Sequence, residues 1–431
     1  MRLLVRGGRV VDPVSGTDGV LDVLLDGGRV AAIGPRLADA ADATVDAAGL
    51  VVVPGLIDMH VHLRQPGFEA KETIATGVRA AVRGGFTTVC AMPNTDPVND
   101  SPETTAWIRA EARRAGLANV LPIAAVTRAS LGEELVDMAA CVAAGAVAFS
   151  DDGRPVASEA IMRRALASAA AAGSLVIDHC EDKALAAGGV MHAGTVSARL
   201  GLPGIPRAAE DIVVARDIAL AGELGLRVHI AHLSTAGGVG LVGAAKRRGV
   251  RVSAEATPHH LLLKDEDIRT PDPDFKMNPP LRTAADVSAL VEGLRSGVVD
   301  AVATDHAPHT PAEKARGFAE APFGIVGLET AVPLILDRLV ARGLIPLTRF
   351  IEAFSTAPAR ILGLFAKGRI AAGADADLTL LDLARPFAVD KTRFESKGRN
   401  TPFDGWELRG APVMTIVGGR IVYPFEDKRR T

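Results

Sequence analysis

The sequence predicts an α/β protein, a (β/α)8 TIM-type barrel with a small β-sandwich domain assembled from both chain termini. Three observations lead there. Between residues 55 and 365, eight short apolar runs alternate with Ala-rich helical patterns. Glycines follow several of the helical stretches, at Gly84-Gly85, Gly116, Gly173, Gly225 and Gly249, where a left-handed C-terminal residue is wanted. The two ends also resemble one another more than either resembles the middle. Leu4-Val5-Arg6-Gly7-Gly8-Arg9-Val10-Val11 aligns with Thr415-Ile416-Val417-Gly418-Gly419-Arg420-Ile421-Val422. Neither end is long enough to enclose a core alone. Both are therefore assigned to one module, residues 1–54 with 366–431, and the barrel, 55–365, is inserted between them. An open doubly wound sheet is the competing architecture. It needs a Gly-rich phosphate loop after its first strand, and His60-Val61-His62 stands there instead.

Taken in chain order, both Gly-Gly octapeptides read as strands meeting at a Gly turn. Further β-rich stretches lie at 20–33, 44–53 and 368–383. Barrel strands are expected at 56–62, 87–92, 120–126, 146–151, 175–179, 227–233, 251–256 and 300–304. The helices between them are expected at 71–83, 103–115, 159–172, 207–224, 236–248 and 284–295.

Composition narrows the function classes. A net charge of -3 leaves no basic footprint for nucleic acid or an anionic membrane, and 4% aromatics make a base-stacking platform a poor fit. No run of about 18 apolar residues lacks charges or glycines, so no membrane span is expected. Cys90, Cys141 and Cys180 form no CxxC pair, and the start has no signal-type apolar run. A cytoplasmic protein acting on a small molecule is the resulting expectation.

The metal-competent residues fall at the ends of the expected strands. His60 and His62 close the first, Asp151 and Asp152 the fourth, His179 the fifth, His232 the sixth, and Asp305 with His306 the eighth. In a (β/α)8 barrel these ends share one rim, where active sites are built. His60 and His62 have the same strand parity, so both can face the barrel mouth. A single such His is usually structural; imidazoles and carboxylates from five strand ends suit Zn²⁺ or a related divalent ion. Parity does not choose between Asp151 and Asp152, because a bulge would reverse it. Of the other histidines, His229 is assigned to the helix layer, His192 to a solvated or lid position, and His259 and His260 to supporting or packing positions.

Four ordered motifs then carry a resemblance that runs essentially end to end. His60-Val61-His62-Leu63-Arg64, Met92-Pro93-Asn94-Thr95, Lys276-Met277-Asn278-Pro279-Pro280-Leu281-Arg282 and Asp305-His306-Ala307-Pro308-His309 resemble the bacterial class I dihydroorotases of the amidohydrolase superfamily. HxH alone is weak; the ordered set is specific. The resemblance implies reversible cyclisation of N-carbamoyl-L-aspartate to L-dihydroorotate and water in pyrimidine synthesis. It implies two Zn²⁺ per subunit, other divalent ions being substitutes, with His60, His62 and Asp305 on one and His179 with His232 on the other. Asp152 would bridge them, a hydroxide would be the nucleophile, and Asp305 would be the general acid and base. His62, Arg64, Asn94, Asn278, His309 and the backbone of Phe323 and Gly324 would bind substrate. A homodimer and a complex with aspartate carbamoyltransferase are further partners that the resemblance allows.

Two features set this chain apart from relatives. Many amidohydrolases bridge their metals with a carbamylated Lys on the fourth strand, and residues 145–176 contain no Lys. Gln65 replaces the Glu usual in the family's His-Leu-Arg-Glu-Pro-Gly, which weakens Arg64 if that Glu orients it and matters little if it caps a loop. The rivals are another cyclic amidohydrolase, of allantoinase or dihydropyrimidinase type, and a non-catalytic dihydroorotase-like subunit. The absent Lys and present Arg64 argue against the first, and the complete ligand set against the second.

Overall fold

The computed structural model describes residues 2–37 and 40–424; of the expected terminal module, residues 1, 38–39 and 425–431 lie outside this range. The N-terminal strands are β1 (Leu3–Asp12), β2 (Thr17–Asp26), β3 (Arg29–Gly34), β4 (Ala43–Asp46) and β5 (Val51–Pro54). The barrel begins with β6 (Leu56–Val61), β7 (Phe86–Ala91), β8 (Asn119–Ala124), β9 (Ala148–Phe149) and β10 (Val176–Asp178). A side pair, β11 (Met191–His192) and β12 (Gly204–Ile205), interrupts it. It resumes with β13 (Val228–Ile230), β14 (Val252–Ala256) and β15 (Ala301–Val302), and the chain returns to the terminal module through β16 (Leu378–Ala388), β17 (Glu407–Val417) and β18 (Arg420–Tyr423).

The eight barrel strands pair in parallel in sequence order from β6 to β15. A bridge between Val61 and His306 joins the last strand's extension back to the first. Their runs are mostly apolar and buried because both faces are covered, as parallel sheets require. Helices pack outside: Ile74–Arg83 starts at Thr73, whose hydroxyl accepts from the Thr76 amide, and Pro102–Ala115 ends on left-handed Gly116. The termini build one eight-stranded sheet, β18-β17-β16-β5-β1-β2-β3 with β4 on β1, around a core that includes Leu3, Val23, Leu378 and Ile416. Among the described residues no helix is long and apolar enough to cross a membrane.

The two matching octapeptides do not fold alike. Gly418 and Gly419, both at positive φ, form a two-residue turn with Val417 paired to Arg420. Gly7-Gly8 instead lies inside β1, which runs on through a bulge between Val5 and Gly8 rather than turning. A Cβ at Gly8 would sit 2.5 Å from Val52 Cγ2, so the glycine makes room for the neighbouring parallel strand β5.

Candidate active site

Regular pairing stops earlier than the sequence suggests at most of the chemistry-bearing strand ends. His179 lies one residue past β10, His232 two past β13, and Asp152 and Asp305 three past β9 and β15. The backbone turns sharply in these extensions: His232 and Asp305 have φ of 29° and 49°, and Arg64 beyond β6 has 62°. Non-glycine residues in this region are costly and are held only by the surrounding structure. Here the turns aim side chains from separate strands at one point.

The donors converge. Asp152 Oδ1 lies 3.4 Å from His60 Nε2, 3.5 Å from His179 Nδ1 and 3.6 Å from His232 Nε2, and its Oδ2 is 3.5 Å from His62 Nε2. Asp305 Oδ1 lies 3.0 Å from His62 Nε2 and 3.5 Å from His60 Nε2. All six residues are buried, and His60 Nε2 has no hydrogen-bond partner despite being enclosed. Burial alone would raise the pKa of Asp152, but His60, His179 and His232 carry it well below the usual range. Burial likewise opposes, and Asp152 with Glu181 outweighs it, in raising His179 to about 9. Buried carboxylates crowded against imidazoles form a donor set that asks for cations. The residues fit a divalent metal centre.

Asp151 does a different job from Asp152. Its Oδ1 accepts from the Val126 and Thr127 amides at 2.8 and 3.1 Å, and its Oδ2 from the Thr127 hydroxyl, which anchors the loop after β8.

One part of the centre escaped sequence reasoning. Glu255, fully buried on β14, lies 3.0 Å from His60 Nδ1 and 3.2 Å from His229 Nε2, whose Nδ1 is 2.8 Å from the Ser253 hydroxyl. His229 is therefore in this buried network and not in the helix layer, because the irregular backbone before His232 breaks the alternation on which parity depends. Burial pushes Glu255 up, yet His229 and His60 hold it at about 2. The readable signal was a charged Glu inside a buried barrel strand. A carboxylate on Nδ1 fixes the tautomer that presents Nε2 to a metal. Glu255→Gln is expected to weaken metal affinity about 10–100-fold, measured by chelator competition; an unchanged affinity would reduce this network to packing.

The other expected site residues line one cavity of about 440 Å³: His62, Arg64, Asn94, Asn278, His309, Phe323 and Gly324, with Asp152, His179, His232 and Asp305. Its size suits a small molecule. Asn94 also ties the centre together, with Oδ1 2.8 Å from His62 Nδ1 and Nδ2 donating to Asp152 Oδ2 at 3.3 Å. Asn278 Nδ2 is 3.3 Å from His179 Nε2. Arg64 donates from Nε to Pro308 O at 3.3 Å, and its Nη2 lies 3.4 Å from His309 Nε2. Gln65 Oε1 accepts from the Ile74 amide at 3.0 Å, so its oxygen caps a helix rather than steering Arg64.

The remaining histidines are packed. His192 is buried on β11, 3.3 Å from Arg282 Nη1, which replaces the solvated position assigned to it. His260 spans Thr257 and the Pro279 carbonyl, at 2.8 Å each.

Known proteins resemble this chain over nearly its whole length. Residues 49–237 match the family model described as dihydro-orotase-like. A dihydroorotase of Pelotomaculum thermopropionicum is 56% identical over 422 residues, covering 98% of each chain. One from Anaeromyxobacter dehalogenans is 53% identical over 429 residues, covering 99% of this chain and 98% of its own. Among solved structures, L-hydantoinase (dihydropyrimidinase) from Arthrobacter aurescens has a TM-score of 0.87 at 29% identity, covering 97% of this chain and 95% of that one. Near-full-length identity above one half, with every motif of the barrel rim in place, decides between these neighbours: the chain belongs to the dihydroorotase family.

Proposed function

We propose that this protein is a metal-dependent dihydroorotase, interconverting N-carbamoyl-L-aspartate and L-dihydroorotate plus water in the cytoplasm. The observation that carries the reading is the meeting, in one cavity, of the six-residue donor cluster with the Arg64–His309 pair. We assign two Zn²⁺: His60, His62 and Asp305 would hold one, His179 and His232 the other, and Asp152 would reach both. Asp152 Oδ1 faces His60, His179 and His232 while Oδ2 faces His62, which suits a carboxylate shared between two ions. Bound divalent cations supply the Lewis acidity that makes water nucleophilic near neutral pH and polarises a carbonyl.

The side chains do the rest. Arg64 offers a planar fork to the substrate's α-carboxylate. Asn278 and the Phe323–Gly324 backbone border the ring amide. In hydrolysis, water adds to the ring carbonyl carbon and the C–N bond breaks. Asp305 takes the proton released by water and gives it to the departing ring nitrogen. Burial would keep Asp305 protonated, but His60 and His62 reverse this and hold it ionised, ready to accept. In synthesis these steps reverse.

Ring closure turns a carboxylate into a neutral amide and consumes one proton. The equilibrium should therefore shift toward the ring about tenfold for each pH unit lowered, above the carboxyl pKa of roughly 4. The test is metal content measured alongside interconversion of the two compounds at acid and alkaline pH. Near two equivalents of metal and turnover in both directions are expected. Faster hydrolysis of uncharged dihydrouracil than of dihydroorotate would favour the dihydropyrimidinase-type alternative. Assembly with itself or with aspartate carbamoyltransferase is proposed on resemblance alone, and size-exclusion chromatography of the purified proteins, alone and mixed, tests it.

A further inference from the structure

A segment outside the barrel strands reaches the loops that line the cavity. Between β16 and β17 the chain leaves the terminal sheet, and residues 395–401 lie against Glu72, Glu329 and the connection after β15. Glu72 holds this strap: it accepts from the Ser396 hydroxyl and from the Lys397 amide at 3.2 Å, and its Oε2 lies 3.3 Å from His306 Nε2. At the far end of the strap, Asn400 is 3% exposed. Its Nδ2 donates to the carbonyls of Ala307 and Gly324 at 3.0 Å each, and its Oδ1 accepts from the His309 amide at 3.2 Å. Its backbone carbonyl accepts from the Val326 amide at 2.9 Å. Both N–H groups and the amide oxygen are engaged, and the two loops they join lie on either side of the short helix Pro311–Lys314 in the long connection after β15.

Those loops are the two halves of the substrate receptor. One carries His309 beside Arg64; the other carries Phe323 and Gly324. They touch at His309 Nε2, 2.8 Å from the Phe323 carbonyl, and at Gly324, where a Cβ would come within 2.6 Å of Ala307 Cβ. Two buried lysines brace the second loop from outside. Lys314 donates to the Gly324 carbonyl at 3.0 Å, and Lys276 donates to Ala319 O at 2.9 Å with its ammonium 4.6 Å from the Phe323 ring centre. The loops are also joined directly, the Ala307 amide donating to the Ile325 carbonyl at 2.8 Å, and Asn400 is the side chain from outside both that bonds each of them.

This spacing has a chemical consequence. N-carbamoyl-aspartate carries two carboxyl groups. Closure through the β-carboxyl gives a six-membered ring, and closure through the α-carboxyl gives its five-membered isomer, hydantoin-5-acetate; each forms one C–N bond and releases one water. Which ring forms depends on the distance between the anchored carboxylate and the amide edge. We propose that Asn400 is a specificity-determining positioning residue: by tying the Ala307–His309 loop to Gly324 it sets the separation between the Arg64–His309 carboxylate receptor and the Phe323–Gly324 edge, and so selects the six-membered ring. The inference rests on the dihydroorotase reading and adds a residue that never touches substrate.

The test compares the unmodified enzyme with Asn400→Ala and Asn400→Asp. Both lose the two donated bonds, and the Asp variant keeps the acceptor. The readouts are KM and kcat for hydrolysis of dihydroorotate and of hydantoin-5-acetate, with metal content measured in parallel. Turnover of dihydroorotate by the unmodified enzyme is the separate check on the functional reading. Expected is a rise in KM for dihydroorotate of about tenfold or more, kcat within about threefold, unchanged metal content, and about tenfold lower discrimination against the five-membered ring. Unchanged KM and discrimination in a folded variant, even one with a lowered Tm, would overturn the proposal by making Asn400 merely structural. Loss of metal in parallel with kcat would overturn it too. If neither variant folds, hydrogen exchange decides on the unmodified protein. Saturating dihydroorotate should slow the His309 and Val326 amides together, and exchange indifferent to the ligand would overturn the idea.

Discussion

Asp305→Asn is expected to lower kcat roughly 10²–10⁴-fold in both directions, the range of a lost general acid or base, while part of the metal stays bound. The substitution preserves shape, and Asn tolerates the left-handed backbone that Asp305 adopts at φ 49°. One amide oxygen still faces His62, where Oδ1 now lies 3.0 Å from Nε2. The side chain can no longer accept the proton from water or return it to the ring nitrogen. Steady-state assays from each direction, with metal analysis of the same preparation, separate this loss from simple metal depletion. Near-normal kcat with full metal would remove Asp305 from the proton path.

Arg64→Met should act on binding instead. The guanidinium is enclosed by the cavity wall, and burial lowers its pKa to about 10 against the pull of Asp305 and Asp152, so it is still a cation at neutral pH. Within the wall it donates from Nε to one carbonyl, at 3.3 Å, which leaves much of its fork toward the cavity for an anion. Removing one partner of a buried charge pair costs about 2–5 kcal/mol. KM for dihydroorotate should therefore rise on the order of 10²-fold, with a smaller change in kcat. The preference for dihydroorotate over the uncharged dihydrouracil ring should disappear. An unchanged KM would make Arg64 a support for the His309 loop.

Much of the centre was legible because its chemistry needs particular residue types at strand ends. His60 and His62 share a face by alternation alone, and His179, His232 and Asp305 end apolar runs that a parallel barrel places on one rim. The choice of Asp152 over Asp151 was not legible from pattern, since adjacent carboxylates differ only in which way a locally irregular backbone turns them. His229 was misplaced for the same reason: alternation holds only while the strand stays regular. Glu255 and Asn400 went unassigned because each derives its role from partners far along the chain, as in the Asn400 contact with Ala307 across 93 positions.

By itself, the sequence determined the alternation of buried strands and helices, the residue types at the rim, and the family. These follow from short-range periodicity and from side-chain chemistry, which belong to each residue regardless of its neighbours in space. Tertiary structure decided the rest. The same Val-Arg-Gly-Gly-type octapeptide became a bulged strand at Gly7-Gly8, where Val52 of the neighbouring strand packs against it, and a tight turn at Gly418-Gly419, where the partner strand is its own continuation. It likewise decided that a strap between β16 and β17 would bond the segments around Ala307 and Gly324, because contact between distant segments is set by packing that no local pattern encodes.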